Sequence, residues 1–126
     1  MEMQLATDAL NSPDASERSR ARERLLQHDP EEAVAALSAA LGESHWPVCT
    51  ELAEAIAAIG GDAARTALVS ALKARRHHVR SAAVKALVRM AGRSVRDAIE
   101  GLACDPSYEV RQDVAEALQR LDEAKR

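Results

Sequence analysis

Aromatic side chains are nearly missing from this chain. Trp46 and Tyr108 are the only two in 126 residues, and there is no phenylalanine. A core without rings must be filled by Ala, Leu, Val and Ile, and alanine alone occurs 27 times. Alanine has the best helix propensity, and its small side chain lets helix axes approach, so closely packed helices are expected. Cysteine is scarce as well. Cys49 and Cys104 fall short of the framework that staples small secreted folds, and a chain of this length can bury a core without one. A reducing, cytoplasmic setting is expected. No apolar run approaches the roughly 20 residues that cross a bilayer. The opening MEMQLATDAL has neither the basic segment nor the apolar run of a signal peptide. A soluble protein without membrane contact follows as the expectation. An excess of basic charge is lacking too. The formal net charge is −3, which gives no bulk argument for nucleic acid.

Catalytic signatures are also absent. There is no HExxH, no CxxC and no glycine-rich phosphate loop. Nothing in the sequence places a histidine beside Cys49 or Cys104, so neither thiol has an evident base. The histidines are His28, His45, His77 and His78. Adjacent helical residues point about 100° apart, so His77-His78 is not a chelating pair by itself. No catalytic residue, metal or cofactor is expected.

What the chain does have is a repeat. HHVRSAAVKALVRM (77–90) lies over YEVRQDVAEALQRL (108–121) at a spacing of 31 residues, and WPVCTELAEAIAAI (46–59) and ASERSRARERLLQH (15–28) follow at the same spacing without gaps. One column holds Glu17, Val48, Val79 and Val110. Four, eight and eleven positions later come Ala21/Leu52/Ala83/Val114, Leu25/Ile56/Leu87/Leu118 and His28/Ile59/Met90/Leu121. Those offsets share one face of a helix, here termed helix B. Between the B helices runs helix A, with columns Leu37/Leu68/Ile99 and Leu41/Leu72/Ala103. Asp29-Pro30 reads as an N-cap followed by proline at the first helical position. Gly60-Gly61-Asp62 and Ala91-Gly92 separate helices, while Pro47 and Asp105-Pro106-Ser107 open B helices. Gly101 falls inside helix A, in a column with Ala39 and Ser70, which suggests close backbone packing there. Four two-helix units result, at 1–28, 29–60, 61–91 and 92–122, with 123–126 as a tail. Each unit must bury its apolar face on a neighbour, so the predicted fold is an all-α solenoid in one domain. Unit 1 carries Glu17 and His28 where other units are apolar, as an outer unit facing water should.

DPSYEVRQDVAEALQRL (105–121) and HHVRSAAVKALVRMAGRSVRDAIEGL (77–102) resemble the short HEAT-like repeats first described in phycobilin lyase subunits: Asp, a few residues, Val-Arg, two small residues, then Ala-Leu. The resemblance spans nearly the whole chain. In unit 2 Cys49 replaces the arginine, and unit 1 departs furthest. It implies a right-handed, armadillo-like superhelix with B helices lining a concave face. It also implies that Arg80 and Arg111 pair with an aspartate near the inter-helix turn, with Asp105 as the candidate, and tie units together. Function is not implied, since the scaffold serves adapters, lyase subunits, a hydroxylase and DNA glycosylases. The hydroxylase relatives use His-Glu pairs in several repeats; here His28 precedes Asp29, His45 precedes Trp46 and His78 precedes Val79.

Counted from the valine column, the B-helix positions at offsets 2, 3, 6, 9 and 10 should face the inner surface. Offset 3 reads Arg20/Glu51/Ala82/Asp113, offset 6 Glu23/Glu54/Lys85/Glu116, and offset 10 Gln27/Ala58/Arg89/Arg120. Glu54, Lys85 and Glu116 read either as a docking surface or as a ladder of inter-helix ion pairs. Just before each valine lies the column Ala15/Trp46/His77/Tyr108. Trp46, His77 and Tyr108 form either a hot-spot row for a protein partner or rings that cover the seams of their own hairpins.

Residues 63–96 carry nine basic and no acidic side chains, against a charge of −12 on the other 92 residues. This band suits an acidic partner or a phosphate backbone, or it compensates for its acidic neighbours. Lys73, Arg75, Arg76 and His78 have no scaffold role in the repeat pattern; Lys85 and Arg89 add to the band on the inner face. The expected molecule is a monomeric, non-catalytic scaffold binding a protein partner that is acidic at the contact. Nucleic-acid binding through the third unit and a lyase-type enzyme subunit are the alternatives.

Overall fold

The structure is a computed structural model and describes residues 7–90 and 93–124. Among the described residues every regular element is helical. After a helical turn at residues 7–10 come α1 (Ala15–Leu25), α2 (Pro30–Glu43), α3 (Val48–Ile59), α4 (Gly61–Ala71), α5 (His77–Val88), α6 (Arg93–Glu100) and α7 (Tyr108–Ala124). Among the described residues no helix is long and apolar enough to cross a membrane.

Local sequence sets the boundaries. Pro30 occupies the first position of α2, and Glu31 and Glu32 follow in the first turn, where the helix dipole favours acids. Asp14 caps α1 by accepting from the Ser16 amide. Gly60 and Gly61 sit at φ 74° and 86°, a region that only glycine enters without strain, and so α4 can begin two residues after α3 ends.

The helices pack in two layers. α2 packs on α3, α4 on α5 and α6 on α7, each through a short link. Across these pairs, α3 lies against α5 and α5 against α7, while α2 lies against α4. The core runs through both layers and holds Leu37, Leu41, Leu52, Ile56, Leu68, Val79, Leu87, Ile99 and Val110. Burying each such aliphatic side chain contributes roughly 1.5–3 kcal/mol. α5 has neighbours on both sides and buries Ser81, Ala82, Ala83, Val84, Ala86 and Leu87, so that Lys85 alone in that run stays exposed. The alanines let α3 and α7 close in. α1 is the opposite case and buries no residue. Glu17 and His28 face solvent.

Three expectations fail, each for a local reason. The offset-3 column does not face the inner surface: Ala82 is buried and Glu51 and Asp113 are half-buried, because adjacent B helices close over that side. Ala103 is exposed, since α6 ends at Glu100 and Leu102 packs on the core instead. Gly101 therefore lies in a turn, not inside a helix. Its column mates Ala39 and Ser70 are exposed, which removes the close-packing explanation.

Candidate functional site

The arginine column shows how the B helices are seated. Arg80 Nη1 donates to the carbonyls of Ala74 and Arg75, both at 2.9 Å. Arg111 Nη1 does the same to Asp105 and Pro106, at 2.7 and 3.1 Å. Arg18 Nη1 reaches the Ser12 carbonyl at 2.7 Å. Each arginine thus ties down the turn five or six residues before it. Arg80 also crosses to the next unit: its Nε and Nη2 meet both carboxylate oxygens of Asp105, at 2.8 and 2.9 Å. Those hydrogen bonds hold the Asp105 carboxyl below its usual range, against the burial that would raise it. In unit 2 the column holds Cys49, which is buried and has no arm to reach its turn. Arg76 fills the gap from the following unit, donating to the Ser44 carbonyl at 2.8 Å. Arg76 is therefore not idle, as the repeat pattern implied. The Cys49 thiol points at the His78 carbonyl, 3.5 Å away, and burial pushes its pKa up.

The edge formed by the A-to-B turns carries the rings. Trp46 and Tyr108 are 64% and 67% exposed. Between them stand His77 and His78, with ring centroids 3.9 Å apart, and His78 lies 6.3 Å from Trp46. The Arg111 guanidinium sits 5.8 Å from the Tyr108 ring centre.

A groove follows the B helices inward from this edge. One cavity of about 480 Å³ lies beside Trp46, Thr50 and Glu54. A second of about 270 Å³ runs between Glu54, Lys85, Arg89, Glu116 and Arg120. Glu54 lines both, so the two cavities adjoin at α3. The ladder of ion pairs exists in a different register from the one expected. Glu54 and Glu116 make no ion pair among the described residues. Lys85 instead approaches Asp113 at 3.9 Å, and the Ser81 hydroxyl donates to the same carboxylate. On the other side of α3, Glu51 pairs with Arg18 at 3.0 Å and Arg22 at 2.6 Å. The half-buried offset-3 acids stitch the helices, and the offset-6 charges stay in the groove.

The family model for HEAT repeats matches residues 3–87 and 66–126. The chain belongs to the HEAT-repeat family. Among solved structures it is similar to human deoxyhypusine hydroxylase, crystallised in complex with glycerol, at 26% identity and a TM-score of 0.70. The match covers 96% of this chain and 43% of that one, so the chain spans less than half the length of that protein. No curated protein matches the chain.

The ion pairs of the helical array account for part of the basic band. Arg80 pairs with Asp105, Lys85 with Asp113, and Arg65 with Asp62 at 3.1 Å. Arg96 bridges Glu100 at 2.8 Å and Asp122 at 3.0 Å. Arg76 is taken by a carbonyl, and the Arg93 side chain lies outside the described residues. Lys73, Arg75 and Arg89 are exposed and meet no carboxylate among the described residues. Carboxylates thus offset four of the nine cations, and three exposed cations, Lys73, Arg75 and Arg89, remain without one among the described residues. Sequence reasoning missed Glu109, whose Oε2 lies 3.5 Å from both His77 Nε2 and His78 Nδ1. The repeat held the signal: Glu109 stands 31 residues after His78, in the same column of the next unit.

Proposed function

We propose that this HEAT-repeat chain is a non-catalytic scaffold that docks a protein partner on the A-to-B edge and the adjoining groove. The exposure of Trp46 and Tyr108 carries this reading. A chain with two aromatics keeps both two-thirds in water, in one column of one edge. Desolvation of such rings against a partner supplies most of the energy of typical hot spots. Lys73 and Arg75 lie on the same edge, in the turn before α5, and Arg89 lines the groove. Their unpaired charge favours a partner that is acidic where it touches.

The test is an affinity capture that compares the wild type with two variants. Trp46→Ala/Tyr108→Ala removes the rings, and Lys73→Glu/Arg75→Glu reverses the edge charge while sparing Arg76. The expected result is a partner retained by the wild type and lost from both variants. If every captured protein survives both changes, the edge is not the docking site. Labelled duplex and single-stranded DNA serve as the control. Binding at low salt that weakens steeply as salt rises would favour a phosphate backbone instead.

A further inference from the structure

Three metal-ligating side chains meet where the third and fourth B helices begin. His77 Nε2 and His78 Nδ1 each lie 3.5 Å from Glu109 Oε2, and all three donor atoms fall within 4.8 Å of one another. Neighbouring helical residues diverge by about 100°, which argues against convergence from direction alone. Here His77 uses its far nitrogen and His78 its near one, and the difference in reach brings the two to the same carboxylate. His78 Nδ1 is buried and has no hydrogen-bond partner. A buried polar atom left unsatisfied is costly and calls for a reason.

We propose that His77, His78 and Glu109 bind one divalent transition-metal ion of the zinc class, which joins the start of α5 to the start of α7. Zinc bonds of about 2.0–2.1 Å at tetrahedral angles set donor atoms about 3.3–3.4 Å apart. The two distances of 3.5 Å to Glu109 need only a small closure to meet this. The ion would satisfy the orphaned Nδ1, and solvent reaches the cluster from the exposed His77 to supply a water as fourth ligand. Donor chemistry decides the class. Two imidazoles are wrong for calcium or magnesium, which take oxygen ligands, and right for zinc, nickel or copper. The positive end of α5 opposes any cation. That selects further for an ion held by strong nitrogen bonds. This site does not depend on the docking reading, because its test uses no partner.

Full-length protein stripped with a chelator is titrated with zinc alone by calorimetry, and with cobalt(II) alone by visible absorption. One zinc per chain is expected, with the intense cobalt bands of a tetrahedral site. His77→Ala, His78→Ala and Glu109→Gln should each weaken zinc binding by roughly tenfold or more. His45→Ala and Cys104→Ser, exposed groups that are not among the three ligands, should leave it unchanged. His77 is exposed, so its variant folds, and circular dichroism checks the other two. Zinc binding that is absent in the wild type, or that survives all three ligand variants, overturns the proposal.

Discussion

Arg75 and Arg76 are adjacent, identical in type and both exposed, yet they carry different loads. Arg76 donates to the Ser44 carbonyl across 32 positions of chain, in a unit whose own column residue is the short Cys49. Arg75 donates to nothing among the described residues. A hydrogen bond from a charged donor contributes about 1.5–3 kcal/mol, and Ser44 is a buried residue whose carbonyl would lose this partner. Arg76→Ala should therefore destabilise the fold by about 1.5–3 kcal/mol, while Arg75→Ala should stay within about 0.5 kcal/mol of wild type. Urea denaturation of the two variants reads this directly. Equal midpoints for the pair would mean that Arg76 does not replace the missing arginine. The distinction is invisible in KARRHHVR, since nothing in a run of cations says which one reaches back a full repeat.

At the scale of elements, the helices themselves were legible because the period of 31 and the apolar columns report the same burial from several copies. Val79, Leu52, Leu87 and Leu68 are all buried where the columns put them. What was not legible is whatever depends on the closeness of two particular helices. Ala82 looked like an open position until α3 and α7 closed beside α5. Asp113 and Glu51 looked like surface charges and turned out to be seams between helices. The edge was half legible: the aromatic column could be read, but the meeting of Glu109 with two histidines needed the helix starts in space. Asp105 shows what an inter-unit contact is worth. It links α5 to the turn before α7 through Arg80, with both side chains largely buried. Removing one partner from a buried pair costs about 3–5 kcal/mol, so Asp105→Asn should lose about 3 kcal/mol at neutral pH. The carboxyl titrates below its ordinary value of 3.8 in the folded chain, chiefly because Arg80 hydrogen-bonds the charged form. Its contribution is then complete above the unfolded pKa and disappears as pH falls through the lower folded value. The stability gap between wild type and Asp105→Asn should narrow when urea melts are repeated near pH 3. A gap of the same size at both pH values would count against the pairing.

The whole molecule is a row of units in which each contacts its neighbours, so stability should follow position in the row more than residue type. One column tests this with nearly constant chemistry. Leu25, Leu87 and Leu118 occupy the same offset in α1, α5 and α7. Leu87 is fully buried between two neighbouring B helices, whereas Leu118 and Leu25 are only partly buried. α7 has a B helix on one side among the described residues, and α1 buries nothing at all. Truncation of a buried leucine to alanine costs about 2–5 kcal/mol, and the range reflects how much surrounding structure holds the cavity open. Leu87→Ala should fall at the upper end. Leu118→Ala should cost less and Leu25→Ala least, with the last near the limit of about 0.5 kcal/mol set for surface changes. Urea midpoints at constant slope give the order. Equal losses at the three positions would show that α1 and α7 are as tightly packed as α5.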